Sequence, residues 1–116
     1  MSQITIFHNP RCSKSRQTLQ LLNENSVEPE IVEYLKVGVS QETVESLLSK
    51  LGVEPRAMMR TKEAEYKEQN LGDDSVSRDA LVKAIVATPK LLERPIVVNG
   101  NKAAIGRPPE NVLDII

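Results

Sequence analysis

One cysteine and one histidine occur among the 116 residues, and both fall in the run His8-Asn9-Pro10-Arg11-Cys12-Ser13-Lys14-Ser15-Arg16. A thiol that follows turn formers and precedes good helix formers stands at a helix N-terminus. There, free backbone N–H groups and the helix dipole favour a thiolate and also a bound oxyanion. The helix end alone is too weak. A free cysteine ionises near ~8.5, and lowering that by about two units takes about 2.7 kcal/mol. A helix N-terminus supplies about 0.3 to 1 kcal/mol, at most about 2. Nearby cations must provide the difference, and Arg16, one turn into the helix, is the guanidinium that local spacing brings near. The plain alternative for Cys12 is an inert buried thiol.

Spacing excludes two other cysteine chemistries. A C-x-x-C redox pair needs a second thiol at position 15, where Ser15 stands, so a disulfide must form with another molecule. A phosphatase-type loop needs arginine six positions after the cysteine, where Thr18 stands. The site is therefore a monothiol site that depends on an external reductant. His8 could tune or orient the thiolate; a loop histidine that only satisfies its own hydrogen bonds is the alternative.

Composition narrows the rest. A single cysteine and a single histidine supply neither an internal disulfide nor a structural zinc site, so no metal is expected. Fifteen basic residues against sixteen acidic ones give a formal charge of −1, and no block of one sign is long enough for nucleic-acid binding by charge. The opening MSQITIFHNP lacks the basic and apolar regions of a signal peptide, and no run approaches the ~20 apolar residues of a membrane span. A cytoplasmic protein is expected, with its thiol kept reduced. At this length one domain over residues 1–116 is expected, burying about 65 % of its unfolded surface.

The elements that must position Cys12 follow from period and punctuation. Gln3 to Phe7 alternates and is β-branched or aromatic, a strand running into the His8-Asn9-Pro10 turn. Residues 13–25 predict a helix capped by Ser13 or Ser15, with Leu19 and Leu22 on one face. Glu30 to Tyr34 reads as a second strand. Ser40 to Gly52 predicts a helix with Ser40 as cap, Gly52 as stop, and Val44, Leu47, Leu48 and Leu51 on one face. Pro55 opens a short helix carrying Met58 and Met59 inward and ending near Arg60 and Thr61. Lys62 to Gln69 predicts a surface helix, and residues 70–77 a loop. Ser77 caps a helix through Leu81, Val82, Ile85 and Val86 that Pro89 stops. Ile96 to Val98 and Lys102 to Ile105 flank Asn99-Gly100-Asn101, a hairpin signal. Pro108 or Pro109 starts a last helix with Val112, Leu113 and Ile116 toward the core. The order is βαβ, a helical insertion over about 40–88, then ββα. This α/β order is that of a thioredoxin-like fold: two halves around a mixed four-stranded sheet.

Several separated motifs carry a resemblance across essentially the whole chain. His8 to Leu19 (HNPRCSKSRQTL) resembles the active-site loop and first helix of the glutaredoxin-dependent arsenate reductases. Met59-Arg60-Thr61 with the polar segment ending in Tyr66-Lys67-Glu68 resembles their insertion. Pro89 through Val98 and Gly106-Arg107-Pro108 resemble their C-terminal half. Ser13 and Lys14 depart from the glycine and threonine of the best-known members. The resemblance implies Cys12 as nucleophile and Arg60, Arg94 and Arg107 as a cationic wall for the oxyanion. It implies reduction of arsenate to arsenite through a covalent Cys12 adduct, with glutathione as co-substrate, glutaredoxin as partner and no bound cofactor. It also implies a cis Arg94-Pro95 bond facing the cysteine loop.

Each arginine has a plainer reading. Arg60 could offset a helix C-terminal dipole, and Arg94 could precede an ordinary trans turn. Arg107 sits at a helix start, where the dipole does not favour a cation, and that favours a functional role. A monomer is expected. Two other functions use the same architecture: a glutathione-linked thiol oxidoreductase using Cys12 and Ser15 as C-x-x-S, and a non-catalytic module like the Spx regulators that bind RNA polymerase. Those regulators commonly carry a C-x-x-C switch, which Ser15 removes.

Overall fold

The computed structural model describes residues 4–116, so Gln3, placed in the first strand by the sequence pattern, lies outside the described residues. The chain forms two compact units, Met1–Val37 with Arg94–Ile116, and Gly38–Glu93.

The first unit is built on a four-stranded sheet in the order β2-β1-β3-β4. β1 is Ile4–Phe7, β2 Glu30–Val32, β3 Ile96–Asn99 and β4 Lys102–Ile105. β1 and β2 run parallel, joined by helix α1 (Ser13–Glu24), while β3 is antiparallel to both β1 and β4. The sheet is mixed and the fold thioredoxin-like, as the element order predicts. Gly100, at φ 61, takes the first central position of the two-residue turn closed by Asn99 and Lys102. The core of this unit is Ile6, Leu22, Val97 and Val112, all fully buried. Burying side chains of this size stabilises the fold by about 1.5 to 3 kcal/mol each.

Three local expectations are corrected. Neither Ser13 nor Ser15 caps α1; Cys12, extended at φ −94 and ψ 125, is itself the N-cap residue, and no side chain makes the cap hydrogen bond. β2 stops at Val32, and Tyr34 opens a one-turn helix α2 (Tyr34–Val37) in which its own side chain is buried. The last element is a 3-10 helix, Pro109–Asp114. Its period of three puts Pro109, Val112 and Ile115 on one side. Leu113 and Ile116, expected in the core, are each 40% exposed, and Ile115 packs on the core instead.

In the second unit, Ser40 accepts a hydrogen bond from the Thr43 N–H to start α3 (Gln41–Leu51), and Gly52 ends it in the left-handed region at φ 67. Ser77 likewise accepts from the Ala80 N–H to start α5 (Arg78–Ala87). The two helices pack on each other, burying Val44, Leu47 and Leu48 of one and Leu81, Val82, Ala84 and Ile85 of the other. Val86 and Leu51, at the edges of their expected faces, are only half-buried. Between these helices come a 3-10 turn at Pro55–Met58 and a short α4, Ala64–Glu68, which is shorter than the polar pattern over 62–69 suggests. Met59 bridges Leu92 in antiparallel fashion just after a second 3-10 turn, Pro89–Leu91. Among the described residues no helix is long and apolar enough to cross a membrane.

One close approach in the first unit is testable. A Cβ on Gly106 would lie 2.6 Å from Thr18 Oγ1 and 2.8 Å from Pro95 Cγ. Overpacking of this kind costs about 1 to 3 kcal/mol. Gly106→Ala is expected to lower unfolding free energy by that amount in urea titration, with an unchanged m-value.

Candidate active site

The sheet register decides which distant residues meet. Phe7 pairs with Val32 and Ile96, and Ile96 pairs with Ile105, so these four residues form one rung across the sheet. The segments just beyond that rung therefore emerge at the same end: the loop from His8 to Cys12 after β1, Arg94-Pro95 before β3, and Gly106-Arg107 after β4. Gly106 N–H donates to the Pro95 carbonyl at 2.9 Å, which ties the last two together. Both Arg94-Pro95 and Arg107-Pro108 are cis. The first was implied by the resemblance; the second was not anticipated.

The cysteine loop is tied by its own polar groups. Asn9 Oδ1 accepts from Arg11 N–H at 3.0 Å, an Asx turn, while the Asn9 carbonyl accepts from Cys12 N–H at 3.0 Å. His8 N–H donates to the Val32 carbonyl at 2.9 Å. Ser15 Oγ accepts from Asn9 N–H at 3.0 Å and lies 2.6 Å from His8 Nδ1. Both His8 and Ser15 are buried. Burial pushes the His8 imidazole below its ordinary value, with the Arg16 charge adding to this and Glu33 opposing it. The neutral ring lets Nδ1 accept from the Ser15 hydroxyl. His8 and Ser15 thus brace the loop, a pairing that no periodic spacing announces.

Cys12 is half-exposed and reduced. Burial pushes its thiol up, but the Ser15 backbone N–H, the Arg94 charge, the Lys14 backbone N–H and the Arg107 charge together outweigh it and hold the thiol below its ordinary value. The cations are thus the distant Arg94 and Arg107. Arg16, to which local spacing assigned this part, instead donates from Nη1 to the Pro10 carbonyl at 3.0 Å and acts on His8. Arg107 divides its guanidinium: Nε donates to the Arg94 carbonyl at 2.8 Å, and Nη2 donates to Cys12 Sγ at 3.6 Å. Arg94 is buried. The arrangement can hold a thiolate and place an anion beside it, on two backbone N–H groups and guanidinium N–H groups.

Arg60 belongs to the second unit. Its N–H donates to the Leu91 carbonyl at 2.7 Å and its guanidinium pairs with Glu63. Glu63 was not singled out from the sequence; an acidic residue three positions after the arginine was the available signal. Among the described residues no group of three His, Cys, Asp or Glu side chains could hold a metal ion.

Two outcomes follow from these electrostatics. Arg107→Ala removes a cation and a donor from Cys12, so the pH midpoint of its alkylation by iodoacetamide should move upward and the rate at neutral pH should fall. For His8, the folded value lies below the ordinary 6.5, so as pH falls the unfolded chain takes up the proton first. The stabilisation is fully present above that value and is lost as pH drops through the folded one. Melting temperature should therefore decline on acidification below about 6.5, and His8→Gln should flatten that decline.

Residues 7–115 match the ArsC family. The chain is 57% identical over 115 residues to an uncharacterised protein, YfgD, of Escherichia coli strain K12, covering 98% of this chain and 97% of that one. It is 49% identical over 114 residues to an arsenate reductase of Haemophilus influenzae, covering 97% and 98%. Among solved structures, an arsenate reductase from Vibrio cholerae superimposes with a TM-score of 0.97 at 51% identity, covering 99% of this chain and 98% of that one. With the thiol loop, the two arginines around it and this agreement over nearly the whole length, the chain belongs to the ArsC family.

Proposed function

We propose that the protein is an arsenate reductase in which Cys12 is the nucleophile and Arg94 and Arg107 bind and neutralise the oxyanion. The observation that carries this reading is the position of Cys12 Sγ, 3.6 Å from Arg107 Nη2 and favoured as thiolate by the Lys14 and Ser15 N–H groups. The names of the relatives at 49% and 51% identity support the same chemistry. Arg60 is the third guanidinium in this reading.

The thiolate sulfur attacks the arsenic of bound arsenate, an As–S bond forms, and one arsenic oxygen leaves as water after protonation. Guanidinium forks match a tetrahedral oxyanion in shape and offset the charge that builds on the departing oxygen. Glutathione then attacks the arsenic and expels a second oxygen as water; a glutaredoxin thiolate takes the glutathione sulfur, forming a mixed disulfide and leaving the As–S electron pair on arsenic, and water releases the resulting arsenic(III) from Cys12 as arsenite. Overall, arsenate and two thiols give arsenite, one disulfide and water. Arsenic gains the two electrons the thiols lose, and Cys12 returns as thiolate. A chain with one thiol cannot close this cycle alone, which is why external thiols enter it and why a reducing cytoplasm suits it.

In an assay that couples NADPH oxidation to glutathione and glutaredoxin, arsenate should drive turnover, and Cys12→Ser should bring it to background. Turnover by the serine variant would remove Cys12 from the mechanism. Turnover with a glutathione mixed disulfide but none with arsenate would make the protein a general thiol oxidoreductase.

A further inference from the structure

The strand order sorts the neighbours of the cysteine loop onto two flanks. β1 lies between β2 and β3, so the loop that leaves β1 has Arg94 and Arg107, which border β3 and β4, on one flank and the segment after β2 on the other. The first flank holds the cations that act on Cys12. On the second lies a cleft of about 220 Å³, lined by Asn9, Pro10 and Arg11 from the loop and by Glu33, Leu35 and Lys36 from the end of β2 and the start of α2. All of these residues belong to the first unit. Arg11 directly precedes Cys12, and Cys12 N–H donates to the Asn9 carbonyl at 3.0 Å. That turn folds the cysteine back onto the wall of the cleft.

The charges of the cleft are accessible to a ligand. Arg16 commits its guanidinium to the Pro10 carbonyl, whereas Arg11 is exposed and no described residue pairs with its guanidinium. Lys36 Nζ lies 3.5 Å from Glu33 Oε1, with the two side chains 77% and 38% exposed. Exposed pairs of this kind contribute little, so a ligand opens this one at small cost. The lining therefore offers two cations, one carboxylate and the exposed apolar surface of Leu35. Glutathione is the complement, with two carboxylates, one ammonium and a short neutral stem that carries the thiol. An inorganic oxyanion has nothing for Glu33 or Leu35, and an apolar ligand would leave all three charges unanswered.

We propose that this cleft binds glutathione, with Arg11 and Lys36 taking its two carboxylates, Glu33 its ammonium, and the thiol lying along Arg11 toward Cys12. The inference rests on the reading of glutathione as the thiol that attacks the Cys12–arsenic adduct. In that step the glutathione thiolate forms an S–As bond and a second arsenic oxygen leaves as water. The two reactants arrive from opposite flanks of one sulfur, so they do not compete for the same cations, and the attacking thiol is held near its target before it reacts. The cleft is smaller than the ~300 to 1,000 Å³ of sites that enclose a ligand. It leaves the glutathione sulfur uncovered, where a glutaredoxin thiolate has to reach it.

The test uses S-methylglutathione, which keeps every charge but cannot attack arsenic, titrated into isotope-labelled protein and followed by amide NMR. Signals of Asn9, Arg11 and residues 33–36 should shift and saturate, and the same spectra report that each variant is folded. Arg11→Gln and Lys36→Gln should each raise Kd about threefold, and together about tenfold. KM for glutathione in the coupled assay should rise in parallel, while the arsenate concentration that half-protects Cys12 from iodoacetamide stays within about twofold. Lys102→Gln removes a cation at the far end of the hairpin, where Lys102 pairs with Asn99, and should change neither constant. Shifts centred on Gly106 and Arg107 instead, no saturable shifts at all, or an equal loss in Lys102→Gln overturns the proposal. If arsenate protects Cys12 but the cleft variants bind S-methylglutathione as the wild type does, the proposal fails and the reductase reading stands. If the cleft binds S-methylglutathione while arsenate neither protects Cys12 nor drives turnover, the glutathione site stands and the reductase reading fails.

Discussion

The sulfur of Cys12 occupies the cap position of α1, and that choice constrains everything around it. A serine, threonine or aspartate there would accept hydrogen bonds from the first turn and close the helix end. The cysteine makes no such geometric cap bond, but the first-turn N–H groups of Lys14 and Ser15 favour its thiolate, and an incoming anion has claim to the same donors. The first turn of α1 also contains no acidic side chain. The helix end is thereby left electropositive, with the thiolate as the group that compensates it.

That helix end is insufficient alone, and the remainder comes through the sheet. Val32, Phe7, Ile96 and Ile105 share a rung, so chain segments far apart in sequence leave the sheet side by side. One supplies the thiol, one Arg94 and one Arg107. The contact between Arg107 Nε and the Arg94 carbonyl fixes the second cation relative to the first, while the buried His8–Ser15 pair fixes the loop from the other side. The imidazole acts here as a neutral brace, consistent with its lowered basicity.

What could be read from the sequence was what is locally encoded. The Ser40 and Ser77 caps, the Gly52 stop and the Asn99-Gly100-Asn101 turn each depend on a few adjacent residues, and each formed as its chemistry requires. Cys12 at a loop-to-helix junction was legible for the same reason. The source of its activation was not, because Arg16 is near in sequence while Arg94 and Arg107 are near only through strand pairing. Residue composition likewise did not distinguish an α-helix from the 3-10 helix at Pro109–Asp114, where a period of three chose Ile115 over Leu113 and Ile116. The Glu63–Arg60 pair went unread although the charge spacing was there, and its partial burial and its link to Lys90 depend on where residues 89–92 fold.

The β3–β4 hairpin has a further consequence for how such a protein can change over time. Four paired positions, from Ile96 with Ile105 to Asn99 with Lys102, measure the distance between the two arginines as a ruler with one residue per division. Inserting or deleting a single residue within either strand would turn the following side chains to the opposite face and carry Arg107 away from the sulfur. Substitution leaves that ruler intact, whereas a change of length does not. Residue identity in this stretch is constrained by the core, to which Val97 belongs, and its length is constrained separately, by counting.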